Sequence, residues 1–285
     1  MAQFKLSSVG IITKKNTDPF WNELQLGDGE KEMLFALVEQ QDSRRKIEKA
    51  DIVADKGRSL VILLHGPPGV GKTLTAETIA MATGKPLFVV SVADVGLEAE
   101  GAEAKLEKVF DLASKWDAIL LIDEADVFLE SRSELTTPDR NALVSVLLRV
   151  LEYYSGTIML TTNRITSLDP AVQSRIHMAI RYEDLDTEKG TKVFLNFLKT
   201  AGVSRKEDMD DLQNWFVYEA IRPKSMLNGR EVRNLVSSAQ SLAKQAGEKF
   251  DRKHLRKVFN MTEGFKEELR EQTSEWKVQN QGKRK

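Results

Sequence analysis

The chain has 285 residues, 41% of them hydrophobic and 30% charged, enough for one large domain or two modest ones around a buried core. Its 42 basic residues nearly balance 43 acidic ones, so no global positive field recommends nucleic acid or an anionic membrane as partner. With no cysteine, disulfides, zinc-thiolate sites and cysteine nucleophiles are excluded together.

No apolar run reaches the roughly 18 residues that a membrane-spanning helix needs, and the N-terminal stretch is too short in apolar residues for a secretory signal. The missing cysteines suit a reducing compartment, which gives the expectation of an intracellular, cytoplasmic or nuclear, location. Residues 1–50 read as a lead-in segment, punctuated at Gly27-Asp28-Gly29 and followed by a helical stretch from Lys31 to Gln40. Residues 51–184 then alternate two patterns. Short apolar runs at Ser59–His65, Leu87–Val92, Ala118–Ile122, Thr157–Leu160 and Met178–Ile180 predict buried parallel strands. Between them, Leu106, Val109, Phe110 and Ala113 keep the spacing of one helix face. Thr137-Pro138-Asp139 reads as a helix start, with the helix running to Tyr153. Alternating strand and helix predicts an α/β fold, with helices on both faces of a parallel sheet.

After Asp184 the strand pattern stops. Val193, Phe194, Phe197, Leu198 and Ala201 mark one amphipathic helix, and Val232, Leu235, Val236, Ala239, Leu242, Ala243 and Ala246 mark another. Residues 185–262 therefore read as a small helical subdomain, and residues 263–285 as a charged tail, which from Lys266 reads as a solvated helix fraying into disorder toward Gln281–Lys285. Trp116 and Trp215 fall where helices pack and are expected in the core. His65, His177 and His254 are far apart and lack the paired spacing of metal ligands, so His65 is read as a strand end.

Two motifs carry chemistry. Gly66-Pro67-Pro68-Gly69-Val70-Gly71-Lys72-Thr73 is a complete G-x-x-x-x-G-K-[ST] between strand and helix, and with the following Leu74 it supplies the candidate nucleotide contacts. Glycines there let backbone N–H groups turn inward, and the helix that follows presents its positive end. Lys72 is placed to neutralise the β and γ phosphates of ATP, and the Thr73 hydroxyl to ligate Mg²⁺. The second motif is Ile119-Leu120-Leu121-Ile122-Asp123-Glu124, four apolar residues ending in two acids at the strand tip. Ligands of open α/β sheets bind at that edge. Asp123 suits the Mg²⁺ shell, and Glu124 suits the attacking water as the general base of phosphoryl transfer.

At these motifs the sequence resembles the AAA+ superfamily of P-loop ATPases over residues 50–262, with the motifs in family order. The resemblance implies a three-layer α/β/α core, a five-stranded sheet in the order 5-1-4-3-2, and a helical lid that closes over ATP. It identifies Thr161-Thr162-Asn163-Arg164 with the sensor-1 element, where Asn163 would help Glu124 position the lytic water. Leu168-Asp169-Pro170-Ala171 and Ser174-Arg175 resemble the arginine-finger region, with Arg175 reaching the γ-phosphate of the neighbouring subunit. Asn228-Gly229-Arg230-Glu231-Val232-Arg233 resembles sensor 2, with Arg230 ahead of Arg233. A homo-oligomeric ring, six-membered, follows from the same resemblance. More narrowly, Gly57–His65, Trp116-Asp117-Ala118 and Leu148–Tyr154 are similar to a group of AAA ATPases common in filamentous fungi, whose segment leading into the core is matched by Asp18-Pro19-Phe20-Trp21.

Two departures bear on function. The pore-loop equivalent Gly96-Leu97-Glu98-Ala99-Glu100-Gly101 is acidic and has no aromatic, and one arginine precedes Ile176-His177 where the family often has two. Three readings follow: a ring ATPase that remodels a protein partner, a slow ATP-gated switch or scaffold that threads nothing, and a nucleic-acid motor, which the neutral charge disfavours. Asp123-Glu124-Ala125-Asp126 spells the signature of the DEAD-box helicases, but residues after 184 are too few and too helical for their second domain.

Overall fold

The computed structural model describes residues 24, 26–48, 59–91, 99–129, 138–165, 168–221 and 227–281. Asp18–Trp21, Gly57-Arg58, Val92, Gly96-Leu97-Glu98 and Thr137, singled out above, lie outside the described residues. Within them the elements are α1 (Asp28–Glu48), β1 (Leu60–His65), α2 (Lys72–Thr83), β2 (Leu87–Ser91), α3 (Ala99–Lys115), β3 (Ile119–Asp123), α4 (Asp126–Leu129), α5 (Pro138–Tyr153), β4 (Thr157–Thr162), α6 (Pro170–Gln173) and β5 (Met178–Arg181). Then follow α7 (Thr187–Thr200), α8 (Lys206–Trp215, widening into a π turn over Phe216–Ala220), α9 (Gly229–Ala246) and α10 (Arg252–Gln281).

Each of the five apolar runs becomes a strand, and all the pairings are parallel in the order β2-β3-β4-β1-β5, the expected order read from the other edge. Strand β1, inside the β5 edge, pairs with β4 from Leu60↔Thr157 to His65↔Thr162, and with β5 from Ile62↔Met178 to His65↔Arg181. Buried on both faces, its side chains sort by the two-residue period of a strand. Val61 and Leu63 join Leu120, Ile122, Ile158 and Leu160 under α3 and α5, through Leu106, Phe110, Leu143 and Leu147. Leu60, Ile62 and Leu64 face the other way, against Leu34 and Val38 of α1 and Ala76 and Ile79 of α2. The result is an α/β/α sandwich. Removing water from one Leu or Ile side chain in such a layer contributes about 1.5–3 kcal/mol, so the layers lock the strand register and with it the edge where all five strands end.

The described residues fall into two compact units that divide after Asp184. In the second, α7–α10 enclose an aromatic core. Phe194 and Phe216 stack with centroids 4.1 Å apart, and Trp215 meets Phe259 edge-on at 5.9 Å. Helix α9 starts at a reciprocal capping box, in which the Asn228 side chain accepts from the Glu231 N–H and Glu231 accepts from the Asn228 N–H, and it ends at Gly247 in the left-handed region.

One expectation is corrected. Trp116 is not in the core but 49% exposed, and it meets Phe88 edge-on at 6.5 Å. Helix α3 ends at Lys115, and Asp117 takes φ 52, which turns Trp116 off the stripe that buries Leu106, Phe110 and Ala113. Trp215 is buried as expected. The charged tail is helical, as expected: α10 is one helix of 30 residues from Arg252 to Gln281. Lys266 anchors it, pairing with Glu231 at 2.9 Å and Glu263 at 3.2 Å.

Candidate nucleotide-binding site

The turn after β1 is built by three glycines with positive φ: Gly66 at 144°, Gly69 at 76° and Gly71 at 106°. Gly66 and Gly71 are needed for different reasons. A Cβ on Gly66 would lie 2.3 Å from the Tyr182 carbonyl oxygen, so the close approach of β5 forbids a side chain. At Gly71 no atom stands within 4 Å of such a Cβ, and the requirement is the left-handed backbone that leads into α2. Beneath the turn, the Thr75 and Tyr182 hydroxyls share a buried hydrogen bond of 2.7 Å. Burial pushes the Tyr182 phenol well above its ordinary range, so it stays a neutral strut.

Lys72, the first residue of α2, is 8% exposed, and burying an ammonium group demands partners for its protons. It donates to the carbonyls of Gly66 at 2.8 Å and Pro67 at 2.7 Å, and to Asn163 Oδ1 at 2.8 Å. The loop thus curls around its own lysine, and the end of β4 reaches the same group. His65, at the end of β1, is held below the usual imidazole range by burial first, then by the charges of Arg181 and Lys72, so it adds no positive charge near neutrality.

The acids stand on the neighbouring strand. The Thr73 hydroxyl donates to Asp123 Oδ1 at 3.0 Å, joining the two residues assigned to a metal shell. Glu124 is exposed and sits at φ 51, a left-handed conformation that costs a residue other than glycine about 1–2 kcal/mol. Two threonines of β4 hold this turn. Thr161 Oγ1 donates to Asp123 Oδ1 at 2.5 Å and accepts from the Glu124 N–H at 2.9 Å, while its carbonyl accepts from the Ala125 N–H at 2.8 Å. Thr162 Oγ1 donates to Asp126 Oδ1 at 2.6 Å and accepts from the Arg164 N–H at 2.9 Å.

Lys72, Thr73, Asp123, Glu124 and Asn163 are therefore brought to one edge of the sheet, with Gly66–Gly71 forming the loop beside them. Within that loop Val70 is buried against the core and Pro68 is exposed, while Leu74 points outward from the first turn of α2. Arg175 takes other partners: its guanidinium donates to the Ala171 carbonyl at 2.8 Å and to Glu152 at 3.3 Å. Arg230 and Arg233 belong to the second unit, both exposed near the start of α9. Thr161, Thr162, Thr75 and Tyr182 are working parts of the site to which the motifs assign no role; a polar pair ending an otherwise apolar strand was the one available signal for the first two.

Among the described residues no group of three or more His, Cys, Asp or Glu could hold a metal ion. The site does fit magnesium bound with nucleotide. Thr73 and Asp123 offer hard oxygen donors on adjacent elements, and Mg²⁺ ordinarily takes one or two protein oxygens with phosphate and water for the rest.

With this geometry in view, residues 62–184 match the model of the family described as ATPase family associated with various cellular activities (AAA). The chain is similar to that family across this region. The match opens within β1, two strand positions after Leu60, and closes at Asp184, where the first compact unit ends. Among curated proteins, the chain is 25% identical over 252 residues to ATPase family AAA domain-containing protein 3 of Caenorhabditis elegans, a match covering 84% of this chain and 41% of the relative. To ATPase family AAA domain-containing protein 3B of Homo sapiens it is 30% identical over 196 residues, 64% of this chain and 30% of the relative. The match to protein 3-A of Xenopus laevis is 35% over 135 residues, 46% and 23%. The chain spans less than half the length of these relatives. The matches support the resemblance at the level of the AAA family, not of the filamentous-fungal group. Among the described residues no helix is long and apolar enough to cross a membrane.

Proposed function

We propose that this chain binds ATP with magnesium, hydrolyses it, and uses the cycle to remodel a protein partner from within a homo-oligomeric ring, six subunits by family resemblance. The observation that carries the reading is the convergence of the phosphate-loop residues on the acid edge, with Lys72 Nζ 2.8 Å from Asn163 and Thr73 Oγ1 3.0 Å from Asp123. Lys72, itself buried, would exchange its carbonyl partners for phosphate oxygens and hold their charge. Thr73 and Asp123 would hold magnesium, which when bound would supply further positive charge against the phosphates. Glu124, exposed at the strand tip, would accept the proton of the attacking water as that oxygen bonds to the γ-phosphorus. The bond to the bridging oxygen then breaks, and its electron pair stays on ADP. Asn163 would orient the same water.

Arg175 is proposed to serve the γ-phosphate of a neighbouring subunit, and Arg230 to act as the sensor of the second unit. Near-neutral net charge supports a protein client over nucleic acid. The acidic pore-loop stretch, with no aromatic between Gly96 and Gly101, favours the second reading, a slow ATP-gated switch or scaffold that threads nothing. One experiment tests the reading. Glu124→Gln should bind ATP as the parent does and lose turnover by about 100-fold or more. Mixed with Arg175→Ala, itself poorly active, it should recover part of that turnover at shared interfaces. Undiminished turnover in Glu124→Gln overturns the hydrolytic assignment; a mixture that stays inactive while subunits exchange overturns the shared site.

A further inference from the structure

The β3–β4 ladder ends at Ile122↔Leu160, one residue short of the acids. Beyond that point the next backbone tie to β4 is the Ala125 N–H on the Thr161 carbonyl, and between the two the side chain of Thr161 holds Asp123 and Glu124. Its one hydroxyl proton goes to Asp123 Oδ1, and a lone pair of the same oxygen receives the Glu124 N–H. Thr161 is 1% exposed, so water cannot stand in for the hydroxyl. Glu124 needs the help most, because its left-handed backbone would relax if nothing held the N–H.

We propose that Thr161 is the positioning residue of the acid pair, setting the Asp123 carboxylate and the Glu124 peptide through a single oxygen. This rests on the reading of Asp123 and Glu124 as the acids of an ATPase, and it extends that reading to a residue of β4 that acts through them. A valine at this position keeps the branched shape and removes only the hydrogen bonds, leaving the Glu124 amide facing a methyl group.

The test uses the full chain. Thr161→Val should lower kcat about tenfold or more while magnesium-free ADP affinity, measured by calorimetry, stays within about twofold. Thr161→Ser, which restores the hydroxyl, should bring kcat back to within about threefold of the parent. In a Glu124→Gln background, Thr161→Val should add less than about twofold, since the residue it positions is already disabled. Unchanged kcat in Thr161→Val, equal losses in valine and serine variants, or a full additional loss in the Glu124→Gln background each overturn the proposal. Neutral Thr161→Val beside inactive Glu124→Gln removes the positioning role alone; active Glu124→Gln removes the ATPase assignment and this inference with it. If Thr161→Val does not fold, amide exchange in the parent decides. A Glu124 amide protected like its strand neighbours supports the hydrogen bond, and one exchanging as an open turn does overturns it.

Discussion

The two compact units bury polar groups in different ways. In the first, Lys72, Thr75, Thr161, Thr162 and Asp169 are all buried, and most of them gather where the strands end. In the second, the buried polar residues among those described are Thr191 and His254, set around a core of stacked aromatics. Helices satisfy their own backbone groups and can leave their interior apolar. A parallel sheet must stop somewhere, and at its stopping edge the chain spends side-chain hydroxyls and a lysine to keep desolvated groups paired. A buried polar cluster at such an edge is where a ligand can be read; a buried aromatic cluster is where stability can be read.

The sharpest way to break this contrast acts on the aromatic side. Phe194→Ala removes one face of the Phe194–Phe216 stack and should destabilise the second unit by about 3–5 kcal/mol. Hydrogen exchange should quicken across α7–α10 while β1–β5 keep their protection; equal loss in the sheet would mean that the units are not separate in stability. On the polar side, Lys72→Ala should weaken ATP binding by about 2–5 kcal/mol with the strands unaltered by circular dichroism. Unchanged ATP affinity by calorimetry would sink the view that the buried edge exists to receive phosphate. The smallest effect tests a local device in the helical unit. Asn228→Ala removes the acceptor of the capping box and should cost about 1 kcal/mol in thermal unfolding, whereas Asn228→Asp should cost little because aspartate caps equally well.

What the sequence revealed follows the same division between near and far. The phosphate loop is a contiguous spacing of glycines and a lysine, and the five strands are contiguous apolar runs, so both were legible without a structure. Asp123 and Glu124 were legible because an apolar strand ended in them. Thr161 was not, because its acceptor lies 38 residues away and is a matter of strand order. Tyr182 was less so: its hydroxyl meets Thr75 across 107 residues, and its backbone is what forbids a side chain at Gly66. Trp116 misled for the opposite reason, since the apolar spacing was right and the helix simply ended one residue too soon. The charged stretch beyond residue 262 was legible as a solvated helix by composition, whereas the anchoring of Lys266 on Glu231, 35 residues back, was not.

The unequal burial of two tryptophans has an optical consequence. Trp215 is 1% exposed in the second unit and Trp116 49% exposed in the first, so their indoles emit from different surroundings. Trp215 belongs at the short-wavelength side of the emission band, out of reach of iodide. Trp116 belongs at the long-wavelength side, where a dissolved quencher collides with it freely. With Trp21 and Trp276 changed to phenylalanine, the protein carries one lamp in each unit, of two colours, and the melting of one half can be watched against the other in a single cuvette.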